Sequence, residues 1–250
     1  MTRTDDLIAS ERAPLFDSDE HGTGEAIWLG ACRSLPTLEL PPAAGGTLLV
    51  VSPHPDDEVL GVGGLMRSLV ERGWSVEIVS VTDGEAAFPD SPDLAAVRAS
   101  ELADALAVLG VPAKVTRLHL PDGDVASRRS ALEAALVVHV AAAAWVLTTW
   151  SGDGHPDHEA VGAATVTACR TVQRPDPWMF PIWAWHWSDP TAAWFARART
   201  VELVPEVHAA KTAAVVAFAS QCDGLRGPPV LRPWVVDRFV RPFETVLEPR

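Results

Sequence analysis

Residues 47–70 read TLLVVSPHPDDEVLGVGGLMRSLV, and the fold class follows from this stretch. Residues 47–51 are apolar and largely β-branched or leucine, with no polar alternation, which is the pattern of a strand buried on both faces. After a turn, Val62, Leu65, Met66, Leu69 and Val70 recur at i, i+3, i+4, i+7 and i+8. That spacing is one apolar face of a helix, stopped by Gly73.

The same alternation continues outward. Strands are predicted at 76–81, 115–120 and 145–149, and helices at 94–109, 130–143 and 157–172, the first of these closed by Gly110 and Pro112. Strands alternating with helices of this length imply βαβ crossovers. The prediction is one α/β domain of Rossmann-like type, a mostly parallel sheet with helices on both faces, over residues 47–222. Further strands are expected at 182–187 (IWAWHW) and 200–204, and a last helix at 206–219 with Val207, Ala210, Ala214, Val215 and Phe218 as its apolar face. Proline and glycine make residues 1–46 an irregular segment packed on the body, with a short helix at 27–32. Residues 223–250, with Pro228, Pro229, Pro233, Pro242 and Pro249, are expected to wrap the surface as an extended tail.

Composition limits the function. A chain of 250 residues with 48% hydrophobic and 21% charged residues has the material for one buried core and is not a disordered chain. Its net charge of −13 repels phosphate backbones and anionic lipid, so neither nucleic acid nor membrane is an expected partner. Cys32, Cys169 and Cys222 are odd in number and widely spaced, which excludes a disulfide framework or a thiolate zinc site. Residues 1–12 hold no apolar stretch of signal-peptide length, and the longest apolar run, residues 141–147 with its flanks, is too short to span a bilayer; a cytoplasmic protein is expected.

In an open parallel sheet, ligands bind outside the carboxyl ends of the strands. There, after the first strand, lies His54-Pro55-Asp56-Asp57-Glu58. After strand 145–149 lies His155-Pro156-Asp157-His158, preceded by Ser151-Gly152-Asp153-Gly154. Either cluster alone reads as a turn with helix-capping aspartates. Two of them on one rim read as a metal constellation. Imidazole and carboxylate are the ligands of catalytic zinc, three from the protein with one position open, and Fe2+ accepts the same types. Bound zinc brings the pKa of its water down to about 7. A further carboxylate can then serve as base, and a spare histidine can polarise a carbonyl or protonate an amine. Spacing leaves open whether Asp56 or Asp57 binds the metal.

HPDDE after the first strand with HPDH after a later one resembles the PIG-L/LmbE family of metal-dependent N-acetylglucosamine deacetylases, over roughly residues 47–221. The resemblance implies hydrolysis of the amide of an N-acyl, chiefly N-acetyl, amino sugar or glucosaminyl conjugate. It implies His54, Asp57 and His158 as zinc ligands, Asp56 as general base, and His155 as oxyanion stabiliser or amine acid with Asp157 as its orienting partner. Thr82-Asp83-Gly84-Glu85 is similar to the family's TxGE turn, and Lys211 with Ser220-Gln221 to its late K…SQ helix. Arg98 and Glu101 are similar to its RxxE and Asp122-Gly123 to a sugar-contacting loop, which makes Arg98 and Asp122 substrate-binding candidates. By spacing alone Arg98 and Glu101 read equally as a surface ion pair, and Asp122-Gly123 as an ordinary turn. His119, His139, His186 and His208 read as packing or surface residues.

One departure from the family matters. Some members carry a tyrosine two residues before the HPDH motif; this chain has none, and the position is Asp153. Trp178, Trp183, Trp185, Trp187 and Trp194 lie close together. They suit either a core or homo-oligomer interface, or a wall for sugar and acyl groups. The rival readings are a phosphoesterase on the same scaffold, which requires clustered Arg or Lys, and a non-catalytic sugar-binding relative.

Overall fold

The computed structural model describes residues 16–43, 45–225 and 227–249. In chain order the elements are α1 (Glu25–Cys32), β1 (Thr47–Ser52), α2 (Asp57–Val70), β2 (Ser75–Thr82), α3 (Leu94–Leu109), β3 (Ala113–Leu120), α4 (Arg129–Ala142), β4 (Trp145–Thr149) and α5 (Pro156–Thr171). There follow β5 (Trp178–Phe180), the single turn α6 (Ala184–Trp187), β6 (Ala198–Glu202), α7 (Pro205–Val215), the single turns α8 (Ala219–Cys222) and α9 (Pro233–Val236), and β7 (Phe243–Leu247).

The strands form one sheet in the order β3-β2-β1-β4-β5-β7-β6. β1 to β5 are parallel, and β7 runs antiparallel to both neighbours. Along β1, Leu48 and Val50 enter one hydrophobic core while Leu49 and Val51 enter the other, as the two-residue period of a strand requires. The first core is shared with α2, α3 and α7, the second with α4 and α5. The strand order reverses between β1 and β4, so the chain leaves their carboxyl ends in opposite directions and opens a crevice there. No helix among the described residues is long and apolar enough to cross a membrane.

α2 carries one motif and is locked by buried contacts. Val62 departs from helical geometry (φ −141°, ψ 23°), which breaks the hydrogen-bond ladder. A buried ion pair satisfies the freed groups. Lys211 Nζ donates to Leu60 O at 2.9 Å and pairs with Glu244, whose two carboxylate oxygens accept the Gly64 and Leu65 amides, both at 2.7 Å. Lys211 is thus absorbed by the fold and does not reach the crevice. A Cβ on Gly61 would stand 2.2 Å from Phe180 Cδ2, so a glycine here lets α2 lie directly on β5.

Three expectations are corrected. Residues 182–187 do not form a strand: β5 stops at Phe180, Pro181 withholds an amide, and the amides of Ile182, Trp183 and Ala184 turn onto the Asp153 carboxylate instead. The helix expected over 206–219 is interrupted after Val215, and Ser220-Gln221 lie on the separate turn α8. The C-terminal segment is not a surface tail, since its residues 243–247 form β7 inside the sheet. Prolines precede this strand and follow it, leaving its ladder amides intact.

Four of the ten tryptophans, Trp28, Trp183, Trp185 and Trp194, are buried in the core. Trp28, Trp185 and Trp194 pack edge-on or tilted at ring separations of 4.8–5.8 Å, and Trp28 Nε1 donates to Trp185 O at 2.8 Å.

Gly61→Ala is expected to lower stability by about 1–3 kcal/mol through the clash with Phe180. Denaturant unfolding measures it, and a neutral result would show that α2 can slide on β5.

Candidate active site

The two motifs open α2 and α5 at the crevice. Asp56 and His155 are the N-cap residues of those helices, so Asp57 and His158 lie in first turns, where the helix dipole favours negative charge. Three donor atoms converge: His54 Nδ1 to Asp57 Oδ2 is 3.2 Å, His54 Nδ1 to His158 Nε2 is 3.3 Å, and His158 Nε2 to Asp57 Oδ2 is 3.4 Å. A tetrahedral ion with bonds of 2.0–2.1 Å separates its ligand atoms by about 3.3–3.4 Å. The triangle fits that ion.

The outer nitrogens of both histidines meet carboxylates. His158 Nδ1 lies 2.8 Å from Asp153 Oδ2, and His54 Nε2 lies 3.1 Å from Asp122 Oδ1 and 3.5 Å from Asp157 Oδ2. A carboxylate at one ring nitrogen keeps the proton there and turns the other lone pair inward, as in metal-bound imidazoles. Burial alone would lower the His54 pKa, but its bonds to Asp122, Asp157 and Asp57 raise it well above the usual imidazole value. Despite burial, His158 and His54 hold Asp57 down at about 2. The site therefore favours positive charge at its centre.

Asp56 stands beside this triangle. Burial raises its carboxyl to about 6, against the pull of Arg98 and with a push from Asp57. Arg98 is itself buried; it reaches Asp56 Oδ2 at 3.0 Å, Gly84 O at 3.0 Å and Pro55 O at 3.2 Å. It does not pair with Glu101, which instead accepts the Ser220 amide and hydroxyl, both at 2.7 Å.

Two expected contacts are redrawn. Asp157 does not hold the His155 ring with its carboxylate: those oxygens accept the amides of Gly123 at 2.8 Å and Val125 at 3.3 Å. It is the Asp157 amide that donates to His155 Nδ1, at 3.3 Å, so the proton of a neutral His155 sits on Nε2. Burial and the neighbouring His158 and His54 push the His155 pKa well below the usual value. Asp122 is no free sugar contact, being fixed between His54 Nε2 and the Ala86 amide at 2.9 Å. One ring nitrogen from each of His54, His155 and His158 lies within 4.8 Å of the others.

A cavity of about 380 Å3 opens over these groups. His54, Asp56, Asp57, Arg98, Asp122 and His155 line its polar side, and Ile182, Trp183, Val230 and Leu231 an apolar one. Trp183 is stacked on Phe16 at 3.9 Å and 9°. Of the wall, the sequence offered Trp183 as one of two readings but not Ile182, Val230 or Leu231, and the bonds of Asp153 were not read from it. An aspartate five residues before a candidate ligand, in an otherwise Ser/Gly loop, was the only available sign of the latter.

Glu58 was read as part of the motif without a role. Its carboxyl is fully buried and makes no hydrogen bond of good geometry, and burial, against a weaker pull from its own amide and Ser52, raises its pKa from 4.5 to about 8. Unfolded Glu58 ionises from pH 4.5 upward while the folded group keeps its proton to about 8. The unfolded state then binds fewer protons, and stability falls as pH rises across that window. In metal-free protein, Glu58→Gln should flatten this decline, matching the parent Tm near the lower end and exceeding it near the upper. Parallel Tm curves would exclude Glu58 as the group.

Comparison with known proteins places the chain beside deacetylases. Residues 49–169 match the family described as GlcNAc-PI de-N-acetylase, PIG-L. The chain is 28% identical over 144 residues to the uncharacterized deacetylase YaiS of Escherichia coli, covering 53% of this chain and 76% of YaiS. It is 30% identical over 168 residues to the 1D-myo-inositol 2-acetamido-2-deoxy-alpha-D-glucopyranoside deacetylase of Mycobacterium sp. (strain KMS). That match covers 55% of this chain and 53% of the relative, so the chain spans about half the length of the mycobacterial protein. Among solved structures, the conserved protein TT1542 of Thermus thermophilus aligns with a TM-score of 0.60 at 28% identity, over 81% of this chain and 94% of that one. Both His/Asp motifs lie inside the matched segment, residues 49–169.

Proposed function

We propose that this protein hydrolyses the amide of an N-acyl amino sugar or glucosaminyl conjugate, N-acetyl first among them, releasing carboxylate and free amine at a zinc site held by His54, Asp57 and His158. The observation that carries the reading is the convergence of their three donor atoms, 3.2–3.4 Å apart, beside an open cavity. The acetamido sugar in the mycobacterial relative's name supports the substrate class. Two imidazoles and a carboxylate suit Zn2+, and Fe2+ by the same ligand types.

A divalent ion in that triangle supplies Lewis acidity toward the amide oxygen and acidifies a water. Asp56 lines the cavity and has no place in the triangle; it takes the proton of the attacking water, a task its raised pKa suits. Arg98 holds Asp56 in orientation through Oδ2. His155 presents Nε2–H, because its Nδ1 already accepts the Asp157 amide, and donates to the oxygen that gains charge in the transition state. The proton gathered by Asp56 then passes to the departing amine.

A phosphoester substrate is disfavoured: among the described residues Arg98 is the one Lys or Arg lining the cavity, and its NH1 and NH2 are engaged by Gly84, Pro55 and Asp56. The net charge of −13 likewise speaks for a small acyl amino sugar or glycoconjugate over nucleic acid or membrane.

Elemental analysis of protein purified without chelator should find about one divalent ion per chain, and amine release from N-acyl glucosaminides should accompany it. Absence of metal after zinc supplementation would overturn the reading. Asp56→Asn should keep the metal and lose about 10²–10⁴-fold in rate. If Asp56→Asn loses the metal while Asp57→Asn retains it, the two carboxylates exchange roles.

His155→Ala should retain metal and substrate affinity while kcat falls by roughly 10²-fold or more. Steady-state kinetics with zinc analysis checks this, and a near-parental kcat would reduce His155 to a helix cap.

A further inference from the structure

Asp153 is fully buried and does not line the cavity. It stands where the resembled family can carry a tyrosine, yet it cannot replace a hydroxyl donor, because its carboxylate has no hydrogen to give and is held by three backbone amides that are donors. Oδ1 accepts the amides of Ile182 at 2.9 Å and Ala184 at 3.0 Å, and Oδ2 accepts the Trp183 amide at 2.9 Å. The fourth neighbour is His158 Nδ1, 2.8 Å from Oδ2. The Asp153 carbonyl adds a bond from Trp187 Nε1 at 2.7 Å.

Three backbone amides are donors by constitution, so they hold the carboxylate in one orientation regardless of what His158 does. An oxygen so oriented, with no hydrogen to offer, requires the Nδ1 of His158 to carry its proton. The lone pair is then left on Nε2, the atom that faces His54 Nδ1 and Asp57 Oδ2. The same three amides belong to the segment that places Ile182 and Trp183 on the cavity's apolar side.

We infer that Asp153 is a positioning residue. It selects the Nδ1–H tautomer of His158 and, with the same carboxylate, fastens the 182–184 wall to the metal-binding edge of the crevice. The inference rests on the reading of His158 as a metal ligand, but its tautomer can be measured without any metal.

Asp153→Asn tests it. Asparagine offers one accepting oxygen and one NH2. With the oxygen kept for Ile182 and Ala184, the NH2 meets His158 Nδ1 and drives that ring to the Nε2–H tautomer, which has no lone pair for a metal. Zinc affinity of the folded variant, measured by competition with a chromogenic chelator, should fall by about 10–100-fold. A variant that is merely less stable, with parental zinc affinity, would overturn the inference.

Should Asp153→Asn not fold, the parent protein decides. Imidazole 15N–1H correlation spectra of the metal-free chain, at a pH of about 8 where histidine is ordinarily neutral, should show His158 as Nδ1–H, assigned by loss of its signals in His158→Gln. An Nε2–H tautomer would overturn the inference. A parent chain that takes up no zinc would defeat the proposed function, while the tautomer would still decide the role of Asp153.

Discussion

Three acceptor lone pairs pointed at one another cannot be left alone in a buried site. His54 Nδ1, Asp57 Oδ2 and His158 Nε2 lie within 3.4 Å of each other, and mutual repulsion at that range in a low-dielectric interior is severe. A cation at their centre turns the repulsion into attraction. Much of the surrounding architecture follows from keeping these lone pairs aimed inward. Asp153 and Asp122 occupy the outer ring nitrogens, backbone amides fix those carboxylates in turn, and helix N-termini temper the negative charge.

The fold supplies the stiffness this requires. Asp57 sits at the start of α2, and any rocking of that helix would open the triangle. α2 is broken at Val62, and the break is closed by Lys211 and Glu244, which reach it from α7 and β7. The C-terminal strand therefore serves the site from a distance. A buried ion pair is a poor source of net stability; here it satisfies backbone groups that the break would leave without partners.

Chemistry and recognition come from different parts of the chain. The triangle, Asp56, Arg98 and His155 all lie within the segment matched by the family. The apolar side of the cavity is built by Ile182, Trp183, Val230 and Leu231, all beyond that segment.

Local pattern was enough for the βαβ alternation and the rim that carries the two motifs, while the choice between Asp56 and Asp57 as a ligand came only from the family resemblance. The alternation and the rim depend on neighbours a few positions apart: strand period, helix period, a turn and a cap. The strand expected at 182–187 failed because its apolar run was read without its partner, the Asp153 carboxylate that gathers the amides into a turn. Proline density made the C-terminal segment look like a surface tail, yet β7 lies between β5 and β6, a placement fixed by pairing with strands remote in sequence. The partners of Arg98, Lys211 and Asp122 were also beyond reach, because composition names a charge but not the group it meets. Sequence by itself determined which side chains stand at the crevice and the class of chemistry they offer. Tertiary structure decided which carboxylate touches which nitrogen, because hydrogen bonds are set by distance and direction in space, and those exist only once the sheet has closed around them.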